Sequence, residues 1–154
     1  MSSNHCRFTS MRQAVSKFMS KIKHYLGVDY GEQKVGLAIA DGETKIAFAY
    51  STLKNNGYFW DNLGEIIKKE QIDMLVVGIP SHINREKVVY PGESFAEKAE
   101  QVFKIKIAFQ DEMFTTKMAK KNLLEKGMRA VNQHDDSEAA RIILQSWLDR
   151  NHAR

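Results

Sequence analysis

Three groups of acidic residues lie where a carboxylate contributes little to packing. Asp29 ends a short apolar run, Asp111 and Glu112 follow another, and Asp135 and Asp136 begin a helical pattern. Carboxylates gathered at one place repel each other, and a divalent hard cation is the usual remedy. Two such cations activate a water and stabilise the leaving oxygen in phosphodiester cleavage. The acids therefore predict a hydrolytic metal site.

The elements that must position these acids alternate in type along the chain, in the order β-β-β-α-β-α-β-α-α. Apolar alternation and continuous apolar runs predict five strands, at Tyr25–Tyr30, Lys34–Ala40, Thr44–Tyr50, Met74–Ile79 and Ile105–Phe109. Apolar residues at helical spacing predict four helices, at Tyr58–Glu70, Ser94–Phe103, Thr115 or Thr116 to Lys126, and Asp135–Asp149.

This order predicts an α/β fold with a mixed five-stranded sheet flanked by helices. The first three strands form an antiparallel meander, with Asp41-Gly42 as a two-residue hairpin between the second and third. The last two strands alternate with helices, which implies parallel pairing through right-handed crossovers. Sites in such sheets form at the carboxyl ends of the parallel strands. The three acidic groups are expected to meet at that edge.

Composition limits the class of protein. At 154 residues, with 43% hydrophobic and 27% charged residues, the chain is expected to form one soluble domain. The single cysteine, Cys6, excludes an internal disulfide and favours a reducing compartment, the cytoplasm. No apolar run approaches the ~20 residues of a membrane span.

The positive charge is concentrated at the start of the chain. The net charge is +4, and residues 1–28 carry five Lys and Arg and no acid, leaving −1 for the remainder. Residues 1–24 are therefore predicted to be a poorly ordered basic extension. It remains open whether they are an organelle transit segment, a basic arm for nucleic acid, or a non-functional extension before an alternative start at Met19.

The chain from about Tyr25 to Asp149 resembles a ribonuclease H-like family of Holliday-junction-resolvase-like proteins and pre-16S rRNA processing nucleases. Three pieces carry the resemblance, in the family's order: LGVDYG at 26–31 with KVGLA at 34–38; VVGIP at 76–80 followed by Asn84; and DEMFTT at 111–116 with DSEAA at 136–140 and IILQ at 142–145. Met113 and Phe114 depart from the family's usual basic residue and leucine, and residues 83–87 replace its glycine-rich turn.

The resemblance implies that residues 25–150 form a metal-dependent nuclease domain, a hydrolase of phosphodiester bonds. It implies Asp29, Glu112 and Asp136 as catalytic residues and as ligands of Mg²⁺ or Mn²⁺. Each acid also has a structural interpretation, such as a strand-end hydrogen bond or a charge at a helix N-terminus. Asp135 and Glu138 also have the spacing of a capping box, with Asp135 as the N-cap and Glu138 three residues later. Asp111 and Asp135 remain alternative ligands.

Basic and polar residues on segments flanking the predicted site are candidates for binding the substrate backbone. Such phosphate contacts are independent of sequence and sensitive to salt. The candidates are Lys34, Asn84, Arg85, Lys117, Lys120 and Lys121. A solvated helix face is the alternative interpretation for the last three.

The implied partners are nucleic acids, either an rRNA precursor processed at the 5′ end of 16S rRNA or branched DNA. No membrane is implied, and both a monomer and a homodimer are compatible with the sequence. One alternative is a non-catalytic nucleic-acid adaptor that retains the fold. Another is a lobe of the actin-like and sugar-kinase ATPases, because Asp29-Tyr30-Gly31 followed by a hairpin resembles their phosphate-binding opening.

Overall fold

The computed structural model describes residues 21–80, 89–112 and 131–151. The described strands are β1 (His24–Tyr30), β2 (Lys34–Asp41), β3 (Phe48–Lys54), β4 (Met74–Ile79) and β5 (Lys106–Asp111). The described helices are α1 (Phe59–Lys69), α2 (Pro91–Phe103) and α3 (Val131–Asn151). The helix predicted from Thr115 or Thr116 to Lys126 and the extension at 1–20 lie outside the described residues.

The strands form one mixed sheet in the order β3-β2-β1-β4-β5. β1 and β3 pair antiparallel with β2, whereas β4 pairs parallel with both β1 and β5. This confirms the predicted sheet of an antiparallel meander plus two parallel strands. The carboxyl ends of β1, β4 and β5 therefore lie at the same edge.

One face of the sheet is covered by α1 and α2 and carries the larger core. Leu26 and Val28 of β1 and Val77 of β4 are buried there against Phe59 of α1 and Phe95 of α2. Burying a side chain of this size stabilises the folded state by roughly 1.5–3 kcal/mol. Because this gain requires apolar residues at the buried positions, the apolar runs predicted β1 and β4 well.

The opposite face is covered by α3 and is lined by small residues. Ala38 and Ala40 of β2 are buried against α3, and a Cβ added to Gly27 of β1 would lie 2.7 Å from Cβ of Leu144 and 2.8 Å from the Ala140 carbonyl oxygen. The absence of side chains at such positions lets the helix approach the strands closely. α3 runs antiparallel to β1, since Trp147 near its end packs on Tyr25, with ring centroids 5.2 Å apart.

The third strand begins and ends four residues later than predicted. The Asp41 carboxylate accepts hydrogen bonds from the backbone N–H groups of Glu43 (2.9 Å) and Thr44 (2.7 Å), and Lys45 N–H donates to the Asp41 carbonyl at 3.1 Å. These bonds hold the chain in a longer turn, so the two-residue hairpin at Asp41-Gly42 is wrong. The backbone N–H of Ala47 donates to the Gln145 side chain of α3 (2.8 Å), and β3 begins only after it.

Two helices begin earlier than predicted. α2 begins at Pro91 instead of Ser94, because proline tolerates the first helical position, where its missing N–H would have no partner. α3 begins at Val131, four residues before Asp135, so Asp135 lies inside the helix and is not its N-cap. None of the helices that the structure describes combines the length and the hydropathy of a membrane-spanning segment.

Candidate active site

Asp29 lies near the end of β1 and points to the face that α3 covers. Its neighbours Val28 and Tyr30 point the other way, Val28 into the larger core and Tyr30 onto Phe95, with ring centroids 4.9 Å apart. Because side chains alternate along a strand, this packing directs the Asp29 carboxylate to the α3 face. Asp29 pairs across the β1–β2 ladder with Gly36.

Glu112 reaches Asp29 from the end of β5. Its backbone N–H donates to the Ile79 carbonyl oxygen at 2.9 Å, which ties the residue to the end of β4. Its side chain shares a hydrogen bond with Asp29. The carboxyl ends of the three parallel strands thus meet here: β1 supplies Asp29, β4 supplies the Ile79 carbonyl, and Glu112 follows β5.

Asp136 reaches the same place from the second turn of α3. A Cβ added to Gly36 would overlap the backbone carbonyl of Asp136. Gly36 pairs with Asp29, so this close approach brings the helix directly over the acid. Asp136 acts on Asp29 through its negative charge.

Burial and mutual repulsion control the protonation of this group, which we call the carboxylate cluster (Asp29, Glu112 and Asp136). Burial, the charges of Glu112 and Asp136, and the hydrogen bond with Glu112 together raise the pKa of Asp29 to about 7, and burial has the largest effect. Burial also raises the pKa of Glu112, the charge of Asp111 adds to the rise, and the hydrogen bond with Asp29 opposes it. These directions fit a protonated Asp29 that donates to an ionised Glu112.

Two glycines that sequence reasoning did not single out make room for the cluster. Gly36 admits the α3 backbone, and a Cβ added to Gly78 of β4 would lie 2.5 Å from Oε1 of Glu112 and 2.5 Å from Cδ1 of Ile143. Both glycines stand inside strand patterns, where a glycine often marks close approach of another group. That signal was available in the sequence.

The structure brings together Asp29, Glu112 and Asp136 out of the predicted site residues. Asp111 acts on Glu112 through its charge, and Lys34 is exposed at the start of β2, on the same edge. The remaining substrate-binding candidates lie outside the described residues, namely Asn84, Arg85, Lys117, Lys120 and Lys121.

The chemistry of the donors suits a hard divalent cation, because the cluster offers carboxylate oxygens whose negative charges repel. Within 21–80, 89–112 and 131–151, no three His, Cys, Asp or Glu side chains are already arranged to hold a metal ion. A cation bound by these oxygens would relieve the repulsion that favours a protonated Asp29.

The comparisons with known protein families and with individual proteins agree on one family. The model of the RuvX Holliday junction resolvase family matches residues 23–150. A protein of Caldanaerobacter subterraneus subsp. tengcongensis named "Putative pre-16S rRNA nuclease" is 36% identical over 137 residues, which cover 80% of this chain and 94% of the relative. A protein of the same name from Photobacterium profundum is 33% identical over 141 residues, covering 87% and 99%.

Solved structures support the ribonuclease H-like fold. RuvC of T. thermophilus in complex with a Holliday junction substrate superposes with a TM-score of 0.57 at 13% identity, covering 85% of this chain and 96% of RuvC. The Fowlpox virus resolvase with Holliday junction DNA gives 0.54 at 11% identity, covering 85% and 99%. Three observations agree on the family: the sheet order, the match over residues 23–150, and the similarity to relatives over nearly their whole length. The chain belongs to the RuvX Holliday junction resolvase family.

Proposed function

We propose that this protein is a metal-dependent nuclease of the cytoplasm that hydrolyses phosphodiester bonds in an rRNA precursor or in branched DNA. The observation that carries the proposal is the convergence of Asp29, Glu112 and Asp136 at the carboxyl ends of the parallel strands. The names of the relatives support the rRNA substrate, and the resolvase structures bound to junctions support the DNA substrate.

In this proposal the carboxylate cluster would hold one or two Mg²⁺ or Mn²⁺ ions. When bound, these ions supply Lewis-acid stabilisation of the phosphate and a lower pKa for water. Asp29 has a pKa of about 7 and can therefore release its proton near neutral pH, which prepares the cluster to accept a cation. Gly36 and Gly78 leave the space that the backbone of Asp136 and the side chain of Glu112 occupy.

Cation binding has a readout that is independent of cleavage. A ligand that binds only the folded state raises the melting temperature. We expect millimolar Mg²⁺ to raise the Tm of the wild type at pH 8 and to leave the Tm of Asp29→Asn nearly unchanged. An equal rise in both proteins would remove Asp29 from the ligand set.

The replacement Asp29→Asn is expected to lower Mg²⁺-dependent cleavage by at least about 100-fold, because even residues behind the direct ligands typically contribute 10–100-fold. Purified wild type and variant would each be given a structured fragment of pre-16S rRNA and a four-way DNA junction, with Mg²⁺, Mn²⁺ or EDTA. The polymer that is cleaved identifies the substrate class.

The matched control is Glu97→Gln, which removes the charge of an exposed acid in the middle of α2 and should leave cleavage unchanged. If Asp29→Asn cleaved at the wild-type rate, the activity would come from a contaminating nuclease or from other residues. Binding without cleavage under every metal condition would overturn the catalytic proposal in favour of a non-catalytic adaptor.

A further inference from the structure

Two exposed lysines face each other across the β2–β3 ladder. Lys34 of β2 is the direct cross-strand partner of Lys54 of β3. The ion pairs within the described parts of the chain involve other lysines and arginines, so neither charge of this pair is neutralised there. Like charges directly opposite each other destabilise a sheet. The pair therefore costs stability in the free protein, and a bound anion would relieve that cost.

Both lysines point toward the face of the sheet that carries the carboxylate cluster. The adjacent pair, Val35 and Leu53, packs in the core under α1 and α2. Since side chains alternate along a strand, Lys34 and Lys54 point to the opposite face, together with Gly36. Gly36 is the partner of Asp29. Strand spacing and rise place the Lys54 backbone about 12 Å from that of Asp29.

The backbone of Lys54 is held in a fixed position relative to Asp29. The next residue, Asn55, donates from its backbone N–H to the Gln33 carbonyl at 2.9 Å. Its side-chain amide donates to the Tyr30 hydroxyl and to the Gly31 carbonyl, both at 3.0 Å. The end of β3 is thereby tied to the end of β1, one and two residues after Asp29.

We propose that Lys54 and Lys34 form a phosphate-binding pair that holds the sugar–phosphate backbone of the nucleic acid on the β3 side of the carboxylate cluster. This inference rests on the proposed function, because it takes the substrate to be a nucleic acid. Lys34 was a candidate from sequence, and the geometry adds Lys54 as its partner. Contacts with phosphates carry no information on the bases, so the contribution of this pair is independent of sequence.

A lysine on an edge strand also protects the edge from pairing with another sheet. That role alone predicts no change in nucleic-acid affinity when Lys54 is replaced by glutamine. Binding measurements therefore separate the two roles.

The test measures fluorescence anisotropy of a labelled four-way DNA junction and a labelled pre-rRNA fragment, in EDTA, between about 50 and 200 mM salt. Lys54→Gln is expected to weaken binding by about 3-fold or more. The negative slope of log K against log salt should become shallower by about 0.7–0.9, the value for one lost phosphate contact. Lys54→Arg keeps the charge and should retain the wild-type slope.

The matched control is Lys106→Gln, which removes an exposed charge at the start of β5, the end of the sheet remote from the cluster. Equal affinities and slopes for wild type, Lys54→Gln and Lys106→Gln would overturn the phosphate-binding pair. Equal losses in both variants would also overturn it, because they would reflect net charge alone.

The failure of this inference is distinguishable from failure of the nuclease. If the wild type binds but never cleaves, the catalytic proposal fails while the Lys54 comparison still decides the binding pair. If cleavage depends on Asp29 and Lys54→Gln binds like wild type, the nuclease stands and the pair fails. A wild type that binds neither polymer would overturn both.

Discussion

Gly36→Ala is expected to lower the free energy of unfolding by about 3 kcal/mol, at the upper end of the usual cost of overpacking. The added Cβ would overlap the carbonyl of Asp136 and lie 2.9 Å from its Cα. These are backbone atoms of α3, which cannot rotate away as the tip of a flexible side chain can. The helix must shift as a unit, and that shift loosens the packing of Ala140 and Leu144 on the sheet.

Urea denaturation of wild type and variant gives the difference in free energy directly. Gly57→Ala is the matched control, because a Cβ at Gly57 meets no atom within 4 Å, and its effect should stay within about 0.5 kcal/mol. A variant at Gly36 that is as stable as the control would mean that α3 does not approach β2 as closely as the structure has it.

The same shift should also reduce cleavage. Asp136 is carried by the helix segment that Gly36 admits, so moving the helix moves this carboxylate away from Asp29. The reduction should persist at temperatures and urea concentrations where circular dichroism shows the variant to be folded. If the folded variant cleaved at the wild-type rate, Asp136 would not be one of the residues required for cleavage.

Asp29→Asn is expected to stabilise the protein at pH 8, by about 2–4 kcal/mol in the absence of metal. The pKa of Asp29 rises from 3.8 to about 7 on folding, and each unit corresponds to about 1.36 kcal/mol. Between about pH 4 and 7 the folded state therefore holds a proton that the unfolded state has lost, so wild-type stability falls as the pH rises through this range and stays low at pH 8. An asparagine amide mimics the protonated acid and donates to Glu112 without this cost.

The gain should vary with pH in a defined way. It should be near its maximum at pH 8, shrink as the pH falls below 7, and vanish near pH 4, where the acid is protonated in both states. Urea denaturation in EDTA at several pH values measures the difference between the two proteins. Glu97→Gln, at an exposed position of α2, should show no such trend. A gain that is constant with pH would contradict a raised pKa at Asp29.

Together these two results would separate stability from activity at one site. Asp29→Asn would make the protein more stable and less active, since the repulsion within the carboxylate cluster is a cost of keeping it ready for a cation. Gly36→Ala would make it both less stable and less active, because the helix that carries Asp136 would be displaced.

The local pattern of residues determined much of this fold. The continuous apolar run Met74–Ile79 predicted β4 with its observed bounds, and the stripe of apolar residues predicted α1 within one residue at each end. These elements bury their own apolar residues against the sheet or within it, so composition and period suffice. The ordered motifs around Asp29, Glu112 and Asp136 likewise indicated the family, which the match over residues 23–150 confirmed.

Only the tertiary structure decided what depends on contacts between distant segments. β3 begins at Phe48 after a turn that Asp41 stabilises and a bond from Ala47 to Gln145, 98 residues away. The pKa of Asp29 depends on burial and on the charges of Glu112, which follows β5, and of Asp136 in α3. The pairing of Lys34 with Lys54 depends on the register of β2 and β3. Local preferences contain no information on such distances, because packing between elements sets them.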